Sequence, residues 1–395
     1  MIPVSRPSLD EAEIAAAARA IRSGWVTQGP EVAAFEQEFA VFAGAPHACA
    51  VSSGTAALHL ALLAVGVQAG DEVVTVSHSF IASANAIRYC GARPVFVDID
   101  RRTFNIDPAK VERAIGPRTR AILPVHQIGL PCDMSAIVEI ARRHGIAVVE
   151  DAACAVGSQL RTAQGWQRIG RPHGDVACFS FHPRKLLTTG DGGMITTANA
   201  GIDARVRAAR HHGMSVSDLA RHGASRVAFE SYPTLGFNYR LTDVQAAIGR
   251  AQLEGLLPRL ERRRAQAKRY DDLLAPIANL ERPLVPAFAR PNWQTYCVQL
   301  PAGVDQLGVM QSLLDVGIAT RRGVMCAHRE PAYHQGTWAC GADRTCDGVQ
   351  GACAHLVNSE SAQDRGVALP LFDAMSDADQ VRVAEALARA CERPG

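Results

Sequence analysis

The sequence predicts an α/β protein whose main sheet is largely parallel and covered by helices. Between residues 48 and 197, short β-rich runs alternate with helical patterns, as in chains of β-α-β units. Most of these runs are almost continuously apolar rather than alternating, as expected for strands with helices on both faces. The predicted strands are ACAVS (48–52), EVVTVS (72–77), PVFVDI (94–99), AILPVH (121–126), IAVVE (146–150), VACFSF (176–181) and GMITT (193–197).

Two helices are predicted before the first strand. Ser8 followed by Glu11 forms a capping-box pattern, and the apolar spacing behind it continues to Gly24. The Gly29–Pro30 pair predicts a break, after which apolar side chains again recur at helical spacing. We therefore expect two amphipathic helices ahead of the sheet.

The β-rich runs stop after the last of these strands. Thr242 with Gln245 predicts the start of a long helix that Pro258 should kink. A proline-rich segment, a strand-like TYCVQLP and two further helical patterns follow, which indicate a smaller α+β unit. We expect a large domain over residues 1–255 and a small C-terminal domain over residues 256–395.

Composition excludes several classes of protein. Because 41 Lys+Arg balance 39 Asp+Glu, the net charge is only +2, and no strong field favours nucleic acid or an anionic membrane. The longest apolar stretch, Thr55–Val67, is shorter than the roughly 20 residues of a spanning helix. With no apolar signal region at the start and eleven scattered cysteines, we expect a cytoplasmic protein with mostly reduced thiols.

The first unusual strand end is SSGT, residues 52–55. Open parallel sheets bind ligands beyond the carboxyl ends of their strands, so these positions are the ones to inspect. Gly54 lets a ligand approach the backbone, the free N–H groups of the next helix point outward, and Ser53 and Thr55 add hydroxyls. The pattern is typical of a phosphate site, with an ordinary helix cap as the alternative.

Two further strand ends carry charged residues. Asp151 follows IAVVE, where a carboxylate needs a cation or several donors, so a protonated nitrogen is a natural partner and a helix cap the alternative. Lys185 lies between a strand and a glycine-rich turn, which makes it a candidate for Schiff-base chemistry rather than an ordinary solvated lysine.

A phosphate site, a carboxylate for a ring nitrogen and a lysine for an aldehyde are together the attachments of pyridoxal 5′-phosphate (PLP). Other cofactor and nucleophile patterns are missing from the sequence. It has no G-x-G-x-x-G after its first strand, no G-x-x-x-x-G-K-[ST] and no G-x-S-x-G. The absence of these motifs argues against a nicotinamide dehydrogenase, a P-loop enzyme and a nucleophile-elbow hydrolase.

Motifs along the chain, in order, resemble those of the DegT/DnrJ/EryC1/StrS aminotransferases. They include SSGTAALHLAL, VEDAACAVGS, FSFHPRKLLTTGDGGM and LGFNYRLTDVQAAIGRAQL, and the resemblance extends from IPVSRPSL to ALPLF. It implies a PLP-dependent transferase of fold type I, the aspartate-aminotransferase fold.

The resemblance also implies an activity. The expected reaction moves an amino group from L-glutamate to a nucleotide-linked keto-deoxysugar, with a 4-keto-6-deoxyhexose favoured. A keto-cyclitol or another antibiotic precursor is the alternative acceptor. A PLP-binding regulator without turnover is a hypothesis of a different class, against which the retained lysine and aspartate weigh.

The resemblance assigns roles around the cofactor ring. Lys185 matches the lysine that bonds to the cofactor and then moves the proton, and Asp151 matches the carboxylate that keeps the ring nitrogen protonated. Phe80 matches the aromatic residue that stacks on the ring. Two positions depart from the family pattern: Cys154, which we also expect among the cofactor-binding residues, replaces the usual Gln, His or Glu, and Asp191 replaces a common Glu.

The resemblance also assigns the phosphate contacts. Gly54, Thr55 and Ser180 match phosphate-binding positions, with Ser53 beside them. Asn238 matches a residue that reaches the phosphate from the neighbouring subunit. We therefore expect a homodimer with composite active sites.

Two late segments complete the set of candidates. His328 and Tyr333 match a family segment that approaches the substrate. Four soft ligands within sixteen residues form a weak candidate for a zinc site, but no C-x2-C pair is present, so we expect reduced cysteines and no metal. These four are Cys340, Cys346, Cys353 and His355.

Overall fold

The computed structural model describes residues 1–215, 229–333, 336–341 and 352–392. The strands are β1 (His47–Val51), β2 (Glu72–Val76), β3 (Arg93–Val97), β4 (Thr119–Leu123), β5 (Ala147–Asp151), β6 (Gln159–Thr162), β7 (Gly165–Arg168), β8 (Val176–Ser180), β9 (Gly193–Thr197), β10 (Ala289–Arg290), β11 (Tyr296–Gln299), β12 (Arg321–Arg322), β13 (Ala339–Cys340) and β14 (Gly366–Leu369).

The helices of the described residues flank these strands and pack on them. They are α1 (Glu11–Arg22), α2 (Pro30–Ala43), α3 (Gly54–Ala64), α4 (Ala82–Tyr89), α5 (Pro108–Ala114), α6 (Met134–His144), α7 (Ala200–Ala209), α8 (Asp243–Glu254), α9 (Leu256–Leu274), α10 (Gln306–Asp315), α11 (Val357–Arg365) and α12 (Asp377–Glu392). In the described residues, none of these helices is long and apolar enough to cross a membrane.

The main sheet has the strand order β1-β9-β8-β5-β4-β2-β3-β13. The strand β9 runs antiparallel to both of its neighbours, β1 and β8, and the other neighbouring strands pair in parallel. All seven predicted runs form strands of this sheet, which confirms the predicted α/β class. The short β13 was not predicted, because two residues are too few to carry a pattern.

The first helix begins later than predicted. Its N-cap is Asp10, whose side chain accepts from the backbone while Glu13 returns the second bond of the capping box. The prediction that Ser8 and Glu11 form this cap was wrong, because Asp10 and Glu13 satisfy the same spacing two residues later.

The long helical stretch after residue 242 is divided at Gly255. The capping box of Thr242 and Gln245 is confirmed at the start of α8. The division at Gly255 separates α8 from α9. Pro258 lies in the first turn of α9 rather than at a kink, and there its missing N–H costs no helical hydrogen bond.

Two large apolar cores lie in the chain. One fills the space between the main sheet and its helices, and the other surrounds the sheet β11-β14-β12 with α9, α10 and α12. The two cores do not divide the sequence into two continuous parts. Ile2, near the start of the chain, belongs to the second core, and Ala339, near its end, belongs to the first. The domain division at residue 255 stays a prediction, since segments on both sides of it contribute to both cores.

Side chains, instead of another strand, form hydrogen bonds with the backbone groups on the outer edge of β1. Glu36 of α2 accepts a hydrogen bond from the backbone N–H of Ala50 at 2.8 Å. Arg207 donates to the carbonyl oxygen of Ala48 and Arg210 to that of Ala50, each at 2.6 Å. Both arginines also pair with Glu36. The buried ion cluster therefore fixes the strand that leads into the predicted phosphate site.

The charge of Glu36 depends on its two partners. Burial acts to raise the pKa of Glu36, but the charges and hydrogen bonds of Arg210 and Arg207 outweigh burial and hold the pKa below its ordinary value. The carboxylate thus stays ionised at neutral pH, as the two arginines require.

Removing this carboxylate tests the role of the cluster. We expect Glu36→Ala to lower the free energy of unfolding by about 3–5 kcal/mol, because Arg210 would remain buried without its counter-ion. Chemical denaturation measures the effect. Glu38→Ala on the same helix is the matched control, because the Glu38 side chain is 41% exposed in its pair with Arg250 and its loss should cost less than about 1 kcal/mol. Equal losses in the two variants would show that the buried cluster has no special role.

Candidate active site

Four strand ends meet at one edge of the main sheet. The strands β1, β8 and β5 run in the same direction, and β9 begins where they end. In the register of the sheet, Gly193 of β9 lies opposite both Val51 and Ser180, while Asp151 lies opposite Cys178. The residues that follow these strands are therefore brought together, although they are far apart in sequence.

Two glycines allow this close approach. A Cβ atom on Gly193 would lie 2.5 Å from the carbonyl oxygen of Ser53, and one on Gly54 would lie 2.7 Å from the Cβ of Ser180. Either contact is shorter than packed atoms tolerate, so any larger residue would push the segments apart. As a result, the start of α3 lies directly against the end of β8.

The amino end of α3 has the character of an anion site. Ser53 caps the helix by accepting from the N–H of Ala56 at 3.0 Å. The N–H groups of Gly54 and Thr55 have no hydrogen-bond partner in the described part of the chain, and the helix behind them is 11 residues long. Ser180 is half-buried beside them. This donor set fits a phosphate group.

Asn238 lies next to a contact with the same segment. The carbonyl oxygen of its neighbour Tyr239 accepts a hydrogen bond from the N–H of Ser52 at 2.8 Å. The Asn238 side chain is exposed in the single chain. That placement is compatible with the predicted contact across a subunit boundary, which stays a prediction.

Asp151 is a buried carboxylate with neutral donors. It is 5% exposed, and it accepts from the hydroxyl of Ser83 at 2.6 Å and from the N–H of Ala153 at 3.1 Å. The hydroxyl of Ser79 lies 2.8 Å from that of Ser83. Within the described ranges, no Lys, Arg or His side chain pairs with Asp151. A protonated ring nitrogen would supply the missing positive charge, and Phe80, 65% exposed on the same turn, offers an aromatic face.

The adjacent Glu150 belongs to a different environment. Its carboxylate contacts His126 at 2.9 Å and accepts from the N–H of Gly174 at 2.8 Å. Burial acts to raise the pKa of Glu150, but its bond to His126 and the nearby charges outweigh burial and lower the pKa. Of the two acidic residues, only Asp151 accepts a hydrogen bond from α4, the helix that follows Phe80.

The side chain of Lys185 contacts Cys154. Its Nζ donates to the Cys154 Sγ at 2.9 Å. The backbone on both sides of the lysine is held by Gln294, which accepts from the N–H of Leu186 at 3.0 Å and donates to the carbonyl oxygen of Arg184. Asn292 in turn donates to the carbonyl oxygen of Cys154 at 2.8 Å.

Several supporting residues were missed by sequence reasoning. They are Ser83, Asn292 and Gln294, which hold Asp151, Cys154 and the backbone around Lys185. None has a local signal, because each acts on a residue at least 68 positions away in the chain. The strand-like TYCVQLP was predicted, but Asn292 and Gln294 lie just before it and had no predicted role.

His328 and Tyr333 lie in a packed network instead of facing an open site. His328 is 1% exposed, with Nδ1 at 2.6 Å from the hydroxyl of Ser77 and Nε2 at 3.0 Å from Glu360. Burial outweighs the nearby carboxylate and lowers the pKa of His328. Tyr333 is also buried and donates to Asn85 at 2.7 Å. These contacts favour a supporting role for both residues, and direct substrate binding stays a prediction.

The cysteine cluster is described only in part. Cys340 and Cys353 are buried with their sulfur atoms 3.2 Å apart, and His355 is exposed. Cys346 lies outside the described residues. Within the described ranges, no group of three or more His, Cys, Asp or Glu side chains could hold a metal ion.

The fold and the site define a PLP-dependent aminotransferase of fold type I. The model of the DegT/DnrJ/EryC1/StrS aminotransferase family matches residues 7–388, and the chain belongs to this family.

Individual relatives resemble nearly the whole chain. Spore coat polysaccharide biosynthesis protein SpsC of Bacillus subtilis (strain 168) is 38% identical over 390 residues, which cover 98% of this chain and 96% of SpsC. The structure of aminotransferase TlmJ from Streptoalloteichus hindustanus has a TM-score of 0.86 at 35% identity, covering 99% of this chain and 98% of TlmJ. The structure of Spr1654 from Streptococcus pneumoniae, in its PMP form, has a TM-score of 0.88 at 26% identity over 99% of both chains.

The contact between Lys185 and Cys154 leads to a labelling prediction. We expect PLP to slow the alkylation of Cys154 by iodoacetamide at least about tenfold, because a cofactor beside Lys185 would cover this half-buried thiol. Mass spectrometry of the Cys154 peptide measures the rate. Cys391 on α12 is the internal control, since it is also half-buried but lies outside the site. Unchanged labelling of Cys154 in protein that has bound PLP would refute the placement of this thiol at the cofactor.

Proposed function

We propose that this protein transfers the amino group of L-glutamate to the ketone of a nucleotide-linked deoxysugar, with a 4-keto-6-deoxyhexose as the favoured acceptor. One observation carries the proposal: Lys185, Asp151 and the amino end of α3 lie at or shortly after strand ends at one edge of the sheet. The chain that brings them together belongs to the DegT/DnrJ/EryC1/StrS aminotransferase family. The SpsC likeness supports the sugar part, because that protein is named for polysaccharide biosynthesis.

The residues present fit PLP. The free N–H groups of Gly54 and Thr55, together with Ser180, would hold its phosphate. Asp151 would hold the ring nitrogen, and the exposed face of Phe80 would pack against the ring. When bound, PLP supplies an electron sink that stabilises negative charge on the carbon next to the transferred nitrogen.

The chain itself positions groups and moves protons. Ser83 and the N–H of Ala153 hold the Asp151 carboxylate in one orientation, so that it can accept a hydrogen bond from a protonated ring nitrogen. Lys185 Nζ would take a proton from the substrate carbon that bears the transferred nitrogen and would deliver it on the other side of that nitrogen. Gln294 fixes the backbone on both sides of the lysine, which limits the swing of Nζ during these transfers.

We further infer a homodimer with composite sites. Asn238 is exposed beside the segment that carries the anion site. Large apolar side chains close before it in sequence are also exposed in the single chain: Phe229 at 93%, Tyr232 at 56% and Leu235 at 87%. Exposed apolar residues next to a functional asparagine favour a subunit contact on this surface.

Removal of the amine tests the catalytic proposal. Loaded with PLP alone, the wild-type protein should show a visible absorption band, and the addition of glutamate should bleach it. We expect Lys185→Ala to lose this band and to lose amino transfer by at least about a thousandfold, because no other amine takes its place. PLP should still bind through the anion site and Asp151, as measured by a thermal shift.

Two further arms sharpen this experiment. Lys268→Ala removes an exposed lysine of α9 and should change neither reading. Mixing Lys185→Ala with Asn238→Ala subunits should restore about one quarter of the wild-type activity, because half of the dimers then contain one intact composite site. Full activity of Lys185→Ala would disprove the proposed mechanism, and failure of the mixture alone would disprove only the composite site.

The acceptor is tested with a matched panel. We expect kcat/KM to be at least about a hundredfold higher for a nucleotide-linked 4-keto-6-deoxyhexose than for a keto-cyclitol. The reason is that contacts between the protein and the nucleotide would also stabilise the transition state of the reaction. Glutamate consumption and the mass of the aminated product give the rates. A higher kcat/KM for the keto-cyclitol would establish the alternative acceptor. Absence of the glutamate step itself would point to a PLP-binding regulator.

A further inference from the structure

A pair of buried thiols lies outside the candidate active site. Cys340 is 0% and Cys353 is 3% exposed, and their sulfur atoms are 3.2 Å apart. Both belong to a small apolar cluster that includes Phe96, Trp338 and Leu356. Sulfur atoms in a disulfide are about 2.05 Å apart, so a movement of about 1 Å would join them.

We propose that Cys340 and Cys353 are a reversible redox site that forms an intramolecular disulfide. The backbone near each cysteine is anchored. Cys340 lies opposite Phe96 in the sheet, and the N–H of Gly341 donates to the Phe96 carbonyl oxygen at 3.2 Å. The N–H of Cys353 donates to Glu360 at 2.6 Å. Anchored backbones present the two sulfur atoms to each other and lower the entropic cost of closure.

The distance between the two sulfur atoms suits closure to a disulfide. A structural zinc site takes four ligands, usually Cys and His side chains. In the parts of the chain that the structure describes, no group of three or more potential ligands surrounds these sulfur atoms. The apolar cluster around them suits a neutral dithiol or a disulfide.

The bond would fasten two parts of the fold. It would join β13, at the edge of the main sheet, to the segment that leads into α11. Glu360 of α11 also pairs with His328, and His328 contacts Ser77 just beyond β2. The disulfide would therefore brace the packed network behind the turn that carries Phe80, without involving Lys185 or Asp151.

The chemistry balances with a low-molecular-weight disulfide such as oxidised glutathione. One cysteine thiolate attacks a sulfur of this oxidant and releases one thiol. The second cysteine attacks the resulting mixed disulfide and releases the other. The two protein thiols lose two protons and two electrons, and the oxidant is reduced to two thiols. In a reducing compartment the pair remains a dithiol, and oxidation closes it.

The full-length protein, loaded with PLP, tests the proposal. It is equilibrated with reduced and oxidised glutathione over a range of ratios, quenched by alkylation and digested for mass spectrometry. We expect Cys340 and Cys353 to lose alkylation together and to appear in one cross-linked species. The oxidised protein should unfold about 3 °C higher, since the bond closes a loop of about 14 residues. The rate of glutamate-dependent amino transfer should change by less than about twofold, because no active-site contact involves the pair.

Variants separate the pair from the other thiols. Cys340→Ser and Cys353→Ser should each abolish the cross-link and the thermal shift, whereas Cys391→Ser should abolish neither. The proposal is overturned if both thiols stay alkylatable at every ratio, if the cross-link instead joins either residue to Cys346, or if the protein as purified contains one equivalent of zinc that both variants lose. Because the cross-link is read by mass, its failure would leave the proposed aminotransferase function untouched.

Discussion

The contact between the start of α3 and the end of β8 is the constraint on which the rest of the site depends. There is no space for a side chain at Gly54 because Ser180 occupies it, and none at Gly193 because the Ser53 backbone occupies it. These contacts bring the helix end and its free N–H groups to the strand that leads to Lys185. The ion cluster of Glu36 then holds the outer edge of β1, so the position of the anion site is determined from both sides of the strand.

The buried carboxylates differ in the groups that balance their negative charge. Glu36 has two arginines and Glu150 has His126, so the chain itself supplies their partners. Asp243 has three backbone N–H donors at the start of α2. Asp151 has only a hydroxyl and one N–H, with no cation among the described residues. The negative charge of Asp151 therefore lacks a positive partner among the described residues. A protonated ligand nitrogen would supply this charge.

Sequence patterns predicted the sheet well because every central strand is buried on both faces and therefore nearly all apolar. They also made Lys185, Asp151 and the SSGT segment candidates, since each lies at or shortly after the end of such a strand. The start of α1 was misplaced because two capping-box patterns, Ser8–Glu11 and Asp10–Glu13, overlap in the sequence. Ser83, Asn292 and Gln294 could not be predicted, because their partners are neighbours only after folding. For His328 the family segment gave the position, but its burial follows from Ser77 and Glu360, which local sequence cannot reveal.

The segment around residue 293 connects the second apolar core to the chemistry of the first. Asn292 and Gln294 hold Cys154 and the backbone around Lys185, while Trp293 between them packs against the core that contains Tyr296. The backbone around the lysine and that of the cysteine are therefore held by two residues of one short segment, although the lysine follows β8 and the cysteine follows β5. Any shift of the second core relative to the main sheet must move both supports together.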